Sequence, residues 1–190
     1  MRGWAAVLAG AVLAGAASAD QVFLRESEIA GALFGDQAIG VPKTLDLSDA
    51  ELGELSRSVQ RKVEVRRYSY LEVWSGPADA KSPKRLLGYA FLLDVVGQSL
   101  PISFAVGVKS DGTIQDVQVM IYREPYGEEI RERRFRAQFA GKKLQDPLVV
   151  GKDIDAISGA TISSASAAYA VRKGLALAQI LGRRPGAPPR

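Results

Sequence analysis

The chain has 190 residues, and 25 Lys or Arg against 21 Asp or Glu give it a mild formal net charge of +4. It contains no cysteine and no histidine, which excludes disulfides, iron–sulfur clusters, His-ligated haem and typical zinc sites. Basic residues are mixed with acidic ones and form no stripe interleaved with aromatic residues, so we expect no nucleic-acid partner.

The first nineteen residues have the pattern of a secretory signal peptide. Arg2 gives a positive start, residues 4–15 are apolar or small, and Ala17-Ser18-Ala19 is a small-x-small cleavage site. The alternative is a membrane anchor, but the apolar run is shorter than the roughly 20 residues that a span needs. We therefore expect a periplasmic or otherwise exported protein that begins at Asp20 and is soluble after cleavage.

Residues 20–85 are predicted to form an N-terminal segment of helical and extended structure. Residues 22–35 carry apolar side chains at roughly helical spacing, and Pro42 marks a break. Ser48-Asp49-Ala50-Glu51 is a capping box, so a helix should follow to about residue 60. Residues 63–74 then alternate imperfectly, which indicates an extended segment whose Trp74 we expect in the core.

Residues 86–121 are predicted to form an antiparallel meander. Two β-rich runs, 86–95 and 100–108, flank Gly97-Gln98, and a tight turn at 110–113 precedes a strand over 114–121.

The rest of the chain has mixed signals and then one long helix. Residues 131–140 favour a short helix and residues 148–150 are a candidate strand. A long helix should run from near Thr161 to near residue 181, with a flexible tail over 183–190. We therefore predict an α+β fold, in which helices flank an antiparallel meander and a domain spans residues 86–182.

The segment from Asp155 to Ser164 carries the most informative pattern. It joins an extended stretch to a helix start, where unpaired N–H groups and the helix dipole favour a phosphate. Ser158, Gly159 and Ala160 are small enough to let a bulky ligand approach the backbone, and Thr161 follows with a hydroxyl. On these residues alone, the alternative is that Ser158 or Thr161 only caps the helix.

This segment resembles the flavinylation motif of the FMN-binding domain family, which includes the covalent-flavin subunits of the Rnf electron-transport complex and of the sodium-pumping NADH:quinone reductase. Asp155 stands at the family's Asp, and Ser158-Gly159-Ala160-Thr161 matches its acceptor tetrapeptide. Ser163-Ser164 follows where the family more often has a Thr-Ser pair.

The resemblance covers about residues 86–178. Further matching pieces, in chain order, are Gly88–Phe91, Ser110–Ile114, Arg123–Gly127 and Phe135–Lys142. Pro and Tyr are rearranged in Glu124-Pro125-Tyr126-Gly127 relative to the family's loop. Residues 20–85 match nothing in the family.

The resemblance implies that FMN is attached by a phosphoester to Thr161, and that a separate FAD-dependent flavin transferase attaches it outside the cytoplasm. It also implies that Asp155 orients the loop or contacts the transferase, that Ser158 and Ser163 bond the phosphate, and that Glu124 and Tyr126 line the isoalloxazine ring. The residues alone leave other roles open: a loop-capping Asp155, serines that cap the helix, and a solvated loop at Glu124 and Tyr126. The expected cofactor-binding residues are Thr161, Ser158, Gly159, Ala160, Asp155, Ser163, Glu124 and Tyr126.

These expectations describe an exported flavoprotein that transfers electrons between redox donor and acceptor proteins, which could be membrane-bound. One alternative is an exported binding or assembly module without flavin. The other is an oxidoreductase with its own substrate, but no pair of Asp, Glu, Lys or Tyr is marked by its spacing for acid–base work. We expect no metal site and assign no catalytic residue.

Overall fold

The computed structural model describes residues 20–76 and 84–185. The predicted signal peptide and the last five residues of the predicted tail lie outside these ranges. No helix in the described ranges is long and apolar enough to cross a membrane.

A six-stranded antiparallel sheet forms the centre of the molecule. Its order is β1-β6-β5-β4-β3-β2, so the strands from β2 to β6 form a meander and the short β1 pairs with β6. This arrangement confirms the predicted antiparallel meander. The strands are β1 (Gln21–Val22), β2 (Ala38–Asp46), β3 (Arg67–Ser75), β4 (Leu86–Val96), β5 (Pro101–Lys109) and β6 (Ile114–Tyr122).

Helices cover both faces of the sheet, which confirms the α+β class. The helices are α1 (Ile29–Phe34), α2 (Asp49–Ser58), α3 (Arg133–Arg136) and α4 (Thr161–Gly182). The predicted long C-terminal helix, α4, packs on β4 and β5 over the larger core, which Trp74 also contacts. The smaller core lies under α1 on the opposite face.

The capping box before α2 forms as predicted. Glu51 N–H donates to Ser48 Oγ, and Ser48 N–H donates to the Glu51 carboxylate at 2.8 Å. Because each side chain satisfies an otherwise unpaired N–H group, the helix begins at Asp49.

Two expectations for the N-terminal segment are wrong. Pro42 does not break the chain but lies inside β2, opposite Leu71. Because β2 is an edge strand, its outward positions need no N–H donor and a proline is tolerated. The helical spacing at residues 22–35 yields only α1 and a preceding 3-10 turn, because Val22 pairs with Ile121 in the sheet.

The region between the sheet and α4 also differs from expectation. Residues 148–150 form no strand, because Leu148 has a φ of 48° that extended backbone does not allow. Only Val150 makes an isolated bridge, with Ile154. The predicted helix over 131–140 shortens to α3 and a 3-10 turn, with Phe135 and Phe139 buried at a ring-centroid distance of 5.5 Å.

Candidate functional site

The chain enters α4 through a tight turn over residues 157–160. Ala160 N–H donates to Ile157 O at 2.9 Å, which closes the turn. Gly159 has a φ of +81°, the left-handed conformation that type II turns need at their third residue. A Cβ on Gly159 would meet no described heavy atom within 4 Å, so the backbone conformation, rather than packing, accounts for the glycine. The outer side of the turn is therefore open to a ligand.

Ser164 holds this turn from its inner side. Its Oγ accepts a hydrogen bond from Ile157 N–H at 3.2 Å and donates one to Ala160 O at 2.9 Å. The side chain is completely buried. Ser164 belongs to the motif but is not among the predicted site residues. Its position in the Ser-Ser pair was the available signal, and its role is to position the turn.

Thr161 is the first residue of α4 and is exposed. The residue before it, Ala160, occupies the N-cap position, and no described side chain accepts a hydrogen bond there. The alternative that Ser158 or Thr161 only caps this helix is therefore wrong. The first turn of α4 also contains no acidic residue, so its N–H groups and dipole remain available to an anion.

Ser163 points away from the open side of the turn. It is buried, and its Oγ lies 2.9 Å from Tyr122 Oη, which donates a hydrogen bond to Tyr126 O at 2.5 Å. Burial raises the pKa of the Tyr122 hydroxyl, against the opposing effect of its bond to Ser163, so Tyr122 stays a hydrogen-bond donor. Ser163 thus ties α4 to the loop at 124–127, and its predicted contact with a phosphate stays a prediction.

Gly127 lets that loop pack closely against the start of α4. Its φ is +96°, and a Cβ there would lie 2.6 Å from Ser163 Oγ and 2.8 Å from Tyr122 Oη. Both the backbone conformation and the packing therefore require glycine. Sequence reasoning treated Gly127 only as a loop residue, because the contact joins segments far apart in the chain.

Glu124 is only 5% exposed, so it does not belong to a solvated loop. Its Oε1 accepts hydrogen bonds from Ser99 N–H at 2.6 Å and Leu100 N–H at 2.8 Å. The carboxylate therefore anchors the tip of the β4–β5 hairpin beside the 124–127 loop. Tyr126, in contrast, is 81% exposed. Whether either residue lines an isoalloxazine ring stays a prediction.

A cleft of about 370 Å³ separates the 124–129 loop from the turn before α4. Four of the predicted site residues line it: Glu124, Tyr126, Ser158 and Gly159. Thr161 and Asp155 lie outside its lining. The structure therefore brings the two predicted loops together across one opening.

Asp155 is held through its backbone rather than its side chain. Its N–H donates to Gln138 Oε1 at 2.7 Å, and Gln138 Nε2 donates to Asp155 O at 3.3 Å. The exposed carboxylate makes no hydrogen bond or ion pair within residues 20–76 and 84–185, so it does not cap the loop. It is free to contact another molecule.

Large apolar side chains stay exposed around this region. Ile162 follows Thr161, and Val96 is joined to the next turn of α4 by a hydrogen bond from Ser166 Oγ to Val96 O at 3.0 Å. With Tyr126, these residues give the surface near Thr161 an apolar character that a flat aromatic ring could cover.

One comparison with known proteins bears on this arrangement. A family model described as the FMN-binding domain matches residues 97–176. The match includes the 124–127 loop, the turn before α4 and Thr161. No curated protein matches the chain.

Proposed function

Because residues 97–176 belong to the FMN-binding domain family, we propose that this chain is an exported flavoprotein that carries FMN in phosphoester linkage on Thr161 Oγ1. The observation that carries this proposal is the exposed Thr161 at the start of a 22-residue helix without a side-chain cap. The two finer parts, covalent attachment and electron transfer, are argued separately below.

The residues present fit a phosphate ester on Thr161. The first turn of α4 offers N–H groups to which no side-chain cap is bound, and the positive end of the helix dipole favours the negative charge. The open space over Gly159 allows an attaching enzyme to approach the backbone. Asp155, with its carboxylate unpaired among the described residues, is the group that we expect an FAD-dependent flavin transferase to contact.

The surroundings also fit an isoalloxazine ring. Tyr126 and Ile162 are exposed on either side of the attachment point, one on the loop and one on the helix. The backbone is held at both residues, at Ile162 by α4 and at Tyr126 through the bond from Tyr122 Oη to its carbonyl. An attached ring would cover apolar surface that is otherwise in water.

Electron transfer follows from the chemistry that FMN supplies when bound, since it exchanges electrons singly or in pairs. The chain has no cysteine or histidine to do other redox work. Its residues would hold the phosphate end at α4 and leave the ring edge accessible to donor and acceptor proteins. The predicted export is consistent with this proposal, because a covalent link would prevent loss of the cofactor outside the cytoplasm.

The test is co-expression with an FAD-dependent flavin transferase, followed by denaturing electrophoresis and flavin fluorescence. The wild type should give a fluorescent band and the mass of attached FMN, and Thr161→Ala should give neither. Thr44→Ala removes another exposed threonine, in β2, and should be labelled like the wild type. A labelled Thr161→Ala protein, or an unlabelled wild type, would contradict the attachment.

A second measurement tests electron transfer. Voltammetry of the labelled wild type should show reversible reduction and reoxidation, whereas Thr161→Ala protein shown to lack flavin should be silent in that range. Redox activity in the flavin-free protein would reveal another centre and overturn the assignment.

A further inference from the structure

The pairing between β3 and β4 does not extend over the whole length of either strand. Its last pair is Tyr70 with Phe91, although β3 begins at Arg67 and β4 continues to Val96. The unpaired part of β3 stays bonded to β2, and that of β4 stays bonded to β5. The two strands therefore separate at this end of the sheet. The separation coincides with a cleft of about 450 Å³.

Lys173 of α4 lines this cleft with an ammonium group that lacks an acceptor. Its side chain is only 7% exposed, and its Nζ lies 4.9 Å from the centroid of the Tyr68 ring. It makes no hydrogen bond or ion pair with any part of the chain that the structure describes. A buried charge is costly unless acceptors surround it, so an ammonium in this position calls for one.

The Tyr68 hydroxyl has the same deficiency. It is fully buried without a hydrogen-bond partner, and it is the only fully buried side-chain polar atom of residues 20–76 and 84–185 in this state, since the Lys173 ammonium is not fully buried. Tyr68 lines the same cleft as Lys173. Lys173 and Tyr68, which each carry a donor without an acceptor among the described residues, thus line one cavity.

The cleft also contains two carboxylates, Glu26 and Asp94, and neither makes a hydrogen bond or an ion pair with Lys173 among the described residues. Arg67 is paired with Asp46 at 2.7 Å, and Asp94 accepts a hydrogen bond from Ser103 Oγ at 2.5 Å. Burial lowers the pKa of Lys173, and the attraction of Asp94 offsets this shift only in part. Asp94 therefore acts on Lys173 through space, without a contact.

The rest of the lining combines apolar side chains with Ser69 and the charged Glu26 and Arg123. Leu93 belongs to the core on the α4 side, and Met120 and Leu92 belong to the core on the α1 side. The cleft therefore combines two hydrogen-bond donor residues with apolar surface.

We propose that this cleft binds a small organic acid, whose carboxylate accepts hydrogen bonds from Lys173 Nζ and Tyr68 Oη and whose apolar body lies against Leu93 and Met120. A carboxylate has two oxygens, so it can satisfy both donors at once. Lys173 lies about 18 Å along the helix from Thr161, at 1.5 Å per residue. The proposal therefore goes beyond the flavin site and does not depend on it.

The experiment is isothermal titration of the chain from Asp20 onward with sodium benzoate at constant ionic strength. Benzamide, which has nearly the same shape without the charge, is the control ligand. Benzoate should bind saturably and benzamide should not. The absence of saturable binding up to about 10 mM benzoate, or equal binding of the two ligands, would overturn the proposal.

Variants locate the binding. Lys173→Met keeps the aliphatic stem and should weaken benzoate binding about tenfold or more, as expected when a charge-assisted hydrogen bond is lost. Lys152→Met removes an exposed lysine and should bind like the wild type. Unchanged binding by a folded Lys173→Met protein would overturn the proposal.

Tyr68→Phe keeps the test valid if Lys173→Met does not fold, because it removes only a hydroxyl without a partner among the described residues. It should fold like the wild type and bind benzoate more weakly, and unchanged affinity would count against the proposal. Thr161→Ala should bind benzoate normally, so a failure here and a failure of flavin attachment can be distinguished.

Discussion

The hydroxyls of Ser163 and Tyr122 lie 2.9 Å apart and join the first turn of α4 to the end of β6. Tyr122 also donates to Tyr126 O, so one buried side chain holds both the helix and the loop across the cleft. The spacing between the proposed acceptor hydroxyl and the 124–127 loop is therefore set by the sheet.

Replacing Gly127 with alanine should disrupt this junction. The new Cβ would lie 2.6 Å from Ser163 Oγ at a φ of +96°. The free energy of unfolding should fall by more than the roughly 1–2 kcal/mol that the left-handed conformation alone costs. Gly112→Ala is the control, since φ is +82° there and its Cβ would meet no described atom within 4 Å. Equal losses for the two variants in urea denaturation would contradict the predicted clash.

Glu124→Ala should destabilise the hairpin tip. It removes the acceptor for Ser99 N–H and Leu100 N–H, which lie 2.6 and 2.8 Å from Glu124 Oε1. We expect the free energy of unfolding to fall by about 1–2 kcal/mol because two part-buried hydrogen bonds to a carboxylate are lost. Glu124→Gln keeps an amide oxygen and should lose less. If urea denaturation finds the two variants equally stable, the anchoring role is wrong.

The ion pair of Glu51 with Arg184 should make stability depend on acid pH. Arg184 donates to the Glu51 carboxylate at 2.7 and 2.8 Å, and this bond lowers the pKa of Glu51 from 4.5 to about 2. Because the pKa is lower in the folded state, the stabilisation is complete above pH 4.5 and is lost as the pH falls through about 2.

The measurement is the free energy of unfolding of the wild type and Glu51→Gln from neutral pH downward. The difference between the two should be largest at neutral pH and shrink across this window. Glu128→Gln alters an exposed carboxylate and is the control. A difference that stays constant with pH would exclude the ionised pair as its source.

Protein isolated from exporting cells should begin at Asp20. The small-x-small site ends at Ala19, and the Asp20 carboxylate accepts a hydrogen bond from Arg123 Nε at 3.2 Å. Intact-mass measurement decides the point, and retention of residues 1–19 would contradict cleavage.

The sequence predicts local structure correctly where the stabilising contacts join residues that are close in the chain. The capping box at Ser48 and Glu51 and the turn around Gly112 both depend on backbone groups close in the sequence, and both form as predicted. The position of Pro42 could not be judged in this way, because tolerance of proline depends on β2 being an edge strand.

The supporting contacts of the candidate site could not be predicted either. Glu124 binds the hairpin tip and Gln138 clamps the backbone of Asp155, and both contacts join residues that the fold brings together from distant segments. The contact of Ser164 could have been predicted, because Ser164 lies only seven residues from Ile157 in the same motif.

The turn before α4 is closed by hydrogen bonds within the chain itself, through Ile157, Ala160 and Ser164. Its shape therefore does not need a cofactor to be established. If Thr161 is the acceptor, modification can therefore follow folding. The attaching enzyme would then recognise a surface that is already rigid. The unmodified protein would be a stable, folded substrate until FMN is attached.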